Sequence, residues 1–289
     1  MSGPELAGLL LPLGVAALRQ ATPLVLAGLG GICSERVGIV NIALEGMMLA
    51  GAFTGLVAGR LAGPLVGVLA AVTVGMLVGL THLWATRKLR LNHIVSGVAI
   101  NLLALHSTTF LLRRLFNQAD PPVEARIESM LPTSLFTGVA LALVLVFHLV
   151  LYYTPLGLRI RAVGESEAST RMAGVDTARV KMLGLAASGV LAGLAGAYLS
   201  LAQVGRFSDD MVSGRGFIAL AAVVCGRWTP LGMAAASLAF GALDALQFHL
   251  QGSVALPGEL LRSIPYIATV VAAMALRPRP PADLGRQEE

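Results

Sequence analysis

Long apolar runs recur from one end of this chain to the other, separated by short clusters of charge, proline and glycine. The runs at 64–84, 93–112 and 134–153 each approach the ~20 residues that an α-helix needs to cross a bilayer. They are continuously apolar rather than alternating, which excludes a transmembrane β-barrel. The pattern predicts segments at 6–18, 21–33, 38–58, 64–84, 93–112, 134–153, 182–203, 217–226, 231–248 and 264–276. Several are shorter than a full crossing, and 6–18, 21–33 and 217–226 read as half-helices or pieces of a broken helix. The predicted architecture is therefore an all-α polytopic transmembrane bundle of about eight to ten spans, some short or broken. It forms a single transmembrane domain over 1–289.

Composition sharpens that class. The chain is 56% hydrophobic and 13% charged, whereas a soluble domain carries roughly a quarter charged residues. Its first ~30 residues lack the basic start of a cleaved signal peptide, with Glu5 where a cation belongs. The cysteines, Cys33 and Cys225, lie in apolar context and do not predict a structural disulfide. The net charge of +5 belongs to cations flanking spans and does not call for a nucleic-acid partner. Arg87, Lys88 and Arg90 form one such cluster. Arg159, Arg161, Arg171, Arg179 and Lys181 fill a loop at 154–181, and Arg277, Arg279 and Arg286 lie in a tail over 277–289 that reads as disordered. The positive-inside rule makes all three regions cytoplasmic and predicts cytoplasmic N- and C-termini. The loops at 113–133 and 204–216 then face outward, with Asp120, Glu124 and Glu128 offsetting Arg113 and Arg114.

Small residues supply the packing. Gly51, Gly55 and Gly59 repeat at four-residue spacing, as do Gly67, Ala71, Gly75 and Gly79, and Gly189, Gly193 and Ala197. Such rows let helix backbones approach closely where lipid offers no incentive to associate.

Polar residues inside the runs are the candidate chemistry, because an ionisable group in hydrocarbon costs at least ~2.5 kcal/mol. Asn41 and Glu45 share one helix face. They read either as part of a permeation path or as a polar pair at a helix end. His93 and Asn101 share a face with Gly97, and Ser96 lies beside it; this stripe suits a cavity wall, although His93 alone reads better as a bonded interfacial histidine than as a ligand. Asp244, Gln247 and Gln251 fall together on another segment, where Asp244 is either a solute contact or a helix–helix hydrogen bond. The substrate-path candidates are thus Asn41, Glu45, His93, Ser96, Asn101, Asp244 and Gln247.

The 154–181 loop has internal order. Residues 166–173, "SEASTRMA", read as a one-to-two-turn helix closed by Gly174, and Asp176 or Thr177 can cap the next span. Its mixed charge and its methionine, Met172, suit docking of a soluble partner; an ordinary ordered loop is the plainer reading.

The same loop resembles the coupling loop of ATP-binding cassette (ABC) importer permeases, whose pattern is Glu-Ala-Ala, three residues, then Gly. Glu167, Ala168 and Ser169 fill the first part; Ser169 replaces the second Ala, and Gly174 comes one residue late. "SERVGIVNIALEGMMLAGAF", "NHIVSGVAINLLA" and "GRGFIALAAVVCGRWTPLGMAAASLAFGALDALQ" resemble other stretches of the simple-sugar and nucleoside branch of these permeases. The four stretches occur in the expected order and cover much of residues 30–250. The resemblance implies a non-enzymatic inner-membrane subunit without cofactor or metal. It would pair with a second, paralogous permease and with ATPase subunits, and receive a nucleoside or simple sugar from a binding lipoprotein. Glu165, Glu167, Ala168, Ser169, Met172 and Gly174 are the implied ATPase-coupling residues. A branched-chain amino-acid permease of the same superfamily, and a proton-coupled carrier using Glu45 and Asp244, are the rival readings. The lysines, Lys88 and Lys181, do not follow glycine, so the chain has no phosphate-binding loop of its own.

Overall fold

A computed structural model of the chain describes residues 3–116, 131–251, 263, 266–272, 274 and 279–286. Asp120, Glu124 and Glu128, and much of the segment expected at 264–276, lie outside the described residues. Ten α-helices are seen among them: α1 (Gly3–Glu35), α2 (Leu44–Ala62), α3 (Pro64–Lys88), α4 (His93–Phe116), α5 (Thr133–Tyr153), α6 (Pro155–Glu165), α7 (Glu167–Met172), α8 (Thr177–Ala197), α9 (Arg215–Cys225) and α10 (Pro230–Leu250). A π-helical turn, Tyr198–Gln203, extends α8. No strand occurs among the described residues. Six helices are long and apolar enough to cross a membrane: α1, α3, α4, α5, α8 with its π turn, and α10. The chain is an all-α polytopic membrane bundle.

The spans differ in depth within the bundle. In α1 and α8, 67% of the apolar window is buried, against 22% in α3, α4 and α5. α1 and α8 therefore form the centre, and the other three turn most of their surface outward. The small-residue rows meet in space. α2, α3 and α8 pack against one another, and a Cβ built on Gly193 would collide with the carbonyl of Ala71 and approach Val72 Cα. Here backbone touches backbone, as the four-residue spacing implies.

Three expectations change. The segments at 6–18 and 21–33 are one continuous helix, although it contains Pro12 and Pro23. Pro23 has no N–H, so the carbonyl four residues earlier loses its helical donor. That carbonyl is Arg19 O, and the buried Tyr198 hydroxyl donates to it at 2.9 Å. Gln20 likewise accepts from Gln203 at 2.9 Å. The polar pair Arg19–Gln20 therefore marks a bridge to the π turn, not the end of a helix. The second change concerns the tail: residues 279–286 pack as a turn rather than hanging free.

Between α1 and α2 the chain runs unwound over residues 36–43, with Gly38 at φ 87°. The segment expected to start at 38 thus becomes helical only at Leu44. A second break precedes α9, which has only 11 residues.

Candidate functional site

Unwound backbone inside an apolar bundle needs partners for its N–H and C=O groups, and the intramembrane polar residues provide them. The Val40 amide donates to His93 Nδ1 at 3.3 Å. Its carbonyl accepts from His82 Nε2 at 3.2 Å, which leaves His82 Nδ1 to accept from Ser96 Oγ at 3.0 Å. Asn101 bridges the segment into α2: its amide donates to Ile42 O at 3.0 Å and its carbonyl accepts from the Gly46 amide at 2.8 Å. Asn41 reaches across to α8, donating to Ser188 Oγ at 2.9 Å.

Glu45 completes the arrangement at the other break. Its two carboxylate oxygens accept from the amides of Gly214 and Gly216, each at 2.7 Å. These amides belong to the N-terminal turn of α9, whose donors have no helical partner. The carboxylate thus caps one broken helix from the first turn of another, as the positive end of a helix favours. Gly216 lies so close to Glu45 that a Cβ there would meet the Glu45 amide at 2.7 Å.

Beside this cap is a cavity of about 240 Å³ lined by Ser213, Arg215, Ile218, Asp244, Gln247, Phe248 and Tyr266. Arg215 faces Asp244 at 4.0 Å, and the Tyr266 hydroxyl donates to Ser213 O at 2.9 Å. Opposite charges, an amide and a phenol beside aromatic carbon make a wall that can hydrogen bond a polar solute without adding net charge.

The seven substrate-path candidates therefore divide. Asp244 and Gln247 line the cavity. Asn41, His93, Ser96 and Asn101 bind backbone or neighbouring side chains around the 36–46 break, and Glu45 links the two regions. Arg215, His82 and Ser188 were not singled out from sequence. An ionisable residue inside the 64–88 run was signal enough for His82; Arg215 sits at the edge of a short run, where a cation looks like an interfacial flank.

A third cluster lies at the far end of α8. α7 carries Glu167, Ala168, Ser169 and Met172, follows Glu165 at the end of α6, and is bounded by Ser166, whose side chain accepts from the Ser169 amide. Gly174 takes φ 81° just past its end, and Asp176 caps α8 by accepting from the Arg179 amide. Met172 is 82% exposed. Glu167 instead turns inward, accepting from Arg171 at 2.6 Å, Thr177 at 2.9 Å and Lys181. Burial pushes its carboxyl up, but Lys181, Thr177 and Arg171 outweigh that and hold it below the usual carboxylate range. At the neighbouring junction the Trp228 indole donates to Glu35, and Arg36 donates to Trp228 O at 2.9 Å. Trp228 is buried and acts as a strut within the protein.

Residues 14–274 match the family model for "Branched-chain amino acid transport system / permease component". Relatives include the guanosine ABC transporter permease protein NupQ of Bacillus subtilis, 35% identical over 89% of each chain. The nucleoside ABC transporter permease protein NupC of Lactococcus lactis is 34% identical over 88% of each. A putative glucose ABC transporter permease protein, TsgC13 of Haloferax volcanii, is 36% identical over 82% of this chain and 77% of its own. The second Bacillus guanosine permease protein, NupP, is 25% identical. No solved structure matches the chain. A multi-pass bundle with two facing helix breaks, matched over nearly its whole length, belongs to this family of ABC transporter permease components.

Proposed function

We propose that this chain forms half of the translocation path of an ABC importer for nucleosides. The observation that carries this reading is the similarity, at 34% and 35% identity over most of both chains, to permeases named for nucleosides and guanosine. The cavity supports it: a nucleoside offers hydroxyls for Asp244 and Gln247 and an apolar base face for Phe248 and Tyr266. The Arg215–Asp244 pair satisfies its own charges, so it does not demand a zwitterionic cargo such as a branched-chain amino acid. Glu45 is held by two α9 amides, which suits a structural cap better than a proton carrier. A simple sugar is the second reading, favoured by the 36% identity to TsgC13.

The partners follow from the same reading. NupQ and NupP are two guanosine permease proteins of one organism, and this chain is nearer the first; a paralogous second permease would complete the path. Separate ATPase subunits would dock on α7, and a binding lipoprotein would deliver the solute. The basic face, where Arg87, Lys88 and Arg179 line one groove, would be cytoplasmic. Because α1 is a single span, its Gly3 end would then lie on the opposite side from the tail. Helix breaks facing each other across the path suit alternating access, in which rocking of packed units exposes the site to each side in turn.

The deciding experiment reconstitutes the chain with its companion permease, ATPase and binding protein in liposomes and follows labelled guanosine. ATP-dependent uptake competed by nucleosides and not by glucose is expected. Competition by glucose alone would select the sugar reading, and uptake by this chain without ATP would overturn both.

A further inference from the structure

The turn at 279–286 is a short piece of chain that makes hydrogen bonds to two separate regions. Asp283 Oδ2 accepts from the amide of Glu167, the first residue of α7, at 2.8 Å. The Asp283 amide donates to Gly164 O at the end of α6, at 2.9 Å. Two residues on, the Gly285 amide donates to Gly38 O at 2.9 Å, in the unwound segment between α1 and α2. Pro281 is buried against Gly164, and the Asp283 side chain is 18% exposed and held by Arg286 at 2.8 Å.

Gly38 leads directly to Val40, which His82 and His93 hold, and the same segment ends at Glu45 on the α9 amides. Hydrogen bonds joined by short stretches of main chain therefore connect the exposed α7 to the break after α1 and, through Glu45, to the break before α9 beside the cavity. α7 meets the bundle mainly through α6 and α8, which pack on Arg36 and Val37 by van der Waals contact; the turn adds a hydrogen-bonded route from α7 itself to the α1–α2 connection.

We infer that the 279–286 turn is a transmission strap that couples the position of α7 to the 36–46 break, with Asp283 as its positioning residue. The inference rests on the reading of α7 as the place where an ATPase docks. Coupling needs an element that responds at both ends; a strap bonded to both α7 and Gly38 cannot follow one without pulling the other.

The test uses the full complex in liposomes, with uptake and ATP hydrolysis measured together. Asp283→Ala removes the acceptor for the Glu167 amide, and Asp283→Asn keeps an oxygen there. The expected result is a ~5-fold fall in solute imported per ATP hydrolysed in Asp283→Ala, the scale of one lost capping bond, with substantial recovery in Asp283→Asn. Hydrogen exchange at the Glu167 and Gly38 amides should rise together in Asp283→Ala. An unchanged ratio in an assembled complex overturns the strap, as does faster exchange at Glu167 alone. Failure of Asp283→Ala to assemble makes the turn a folding element and also overturns it. If the unmodified complex shows no ATP-driven uptake, the importer reading itself has failed, and the paired exchange result still judges the strap.

Discussion

The seam of α2, α3 and α8 and the break at residues 36–46 lie side by side in the same apolar interior and meet opposite demands. Along the seam, complete helices satisfy their own backbone groups, so side chains can vanish and glycine faces glycine. At the break the backbone leaves the helix, and amides and carbonyls that turn bonds do not satisfy must find other partners, several of them side chains. Polar residues accumulate there for that reason: His82, His93, Ser96, Asn101 and Glu45 all serve main-chain groups or one another. The seam can move only as a rigid body, because close backbone contact leaves no slack. The break is joined by individual hydrogen bonds, which can be exchanged for others where close backbone contact cannot.

That contrast is tested most severely at Gly193. Gly193→Val puts a branched side chain where a Cβ already strikes Ala71 O, and no rotamer escapes backbone. The expected cost lies at or beyond the top of the ~1–3 kcal/mol range for overpacking, read as loss of monodisperse protein on detergent extraction. A well-folded Gly193→Val protein would show that the seam has slack after all. Next in size is Glu45→Ala, which strands two buried α9 amides at about 1–3 kcal/mol for each unsatisfied group. Melting temperature should fall, and exchange at Gly214 and Gly216 should accelerate. Glu45→Gln, which retains one acceptor oxygen, should lie between the two.

The sequence made the seam plain and the break obscure, for a physical reason. Four-residue glycine spacing has one common cause in a membrane helix, so the rows at 51–59, 67–79 and 189–197 could be read as helix contacts directly. A polar residue in an apolar run has several causes. Asn41, Glu45, His93, Ser96 and Asn101 were recognised as interior groups, but a cavity wall and a scaffold for unwound backbone need the same residue types. Of the substrate-path candidates, only Asp244 and Gln247 line the cavity. The fusion of 6–18 with 21–33 was hidden because the donor that rescues the Pro23 gap, Tyr198, is 175 positions away in the chain. Asp283 left no signal, since one acid among the several charges of the 277–289 tail resembles any solvated residue.

The Pro23 gap offers a smaller and cleaner test. Tyr198→Phe leaves Arg19 O without its donor and should destabilise by ~1 kcal/mol. Pro23→Ala returns a helical N–H to the same carbonyl, so the cost of Tyr198→Phe should shrink in a Pro23→Ala background. Additive effects in that cycle would mean that the tyrosine acts only by packing, and that the continuity of α1 has another cause.

The smallest expected effect lies outside the membrane, where charges are solvated and the interior rules lapse. Glu167 is held by Lys181 and Arg171, and its carboxyl titrates below the ordinary range. The unfolded chain holds the proton more tightly, so the ionised form stabilises the fold above the usual glutamate value of ~4.3. That contribution is lost as pH falls through the lower folded value. Wild type should therefore melt above Glu167→Gln at pH 7, by about 1 kcal/mol or less for a partly solvated cluster, and the gap should close on acidification. Salt should narrow it at pH 7 as well, because Arg171 is largely exposed. The bonds inside the 36–46 break should resist the same salt. A gap that ignored both pH and salt would mean that Glu167 acts through shape alone, and the distinction between a solvated charge cluster and a neutral interior break would lose its electrostatic half.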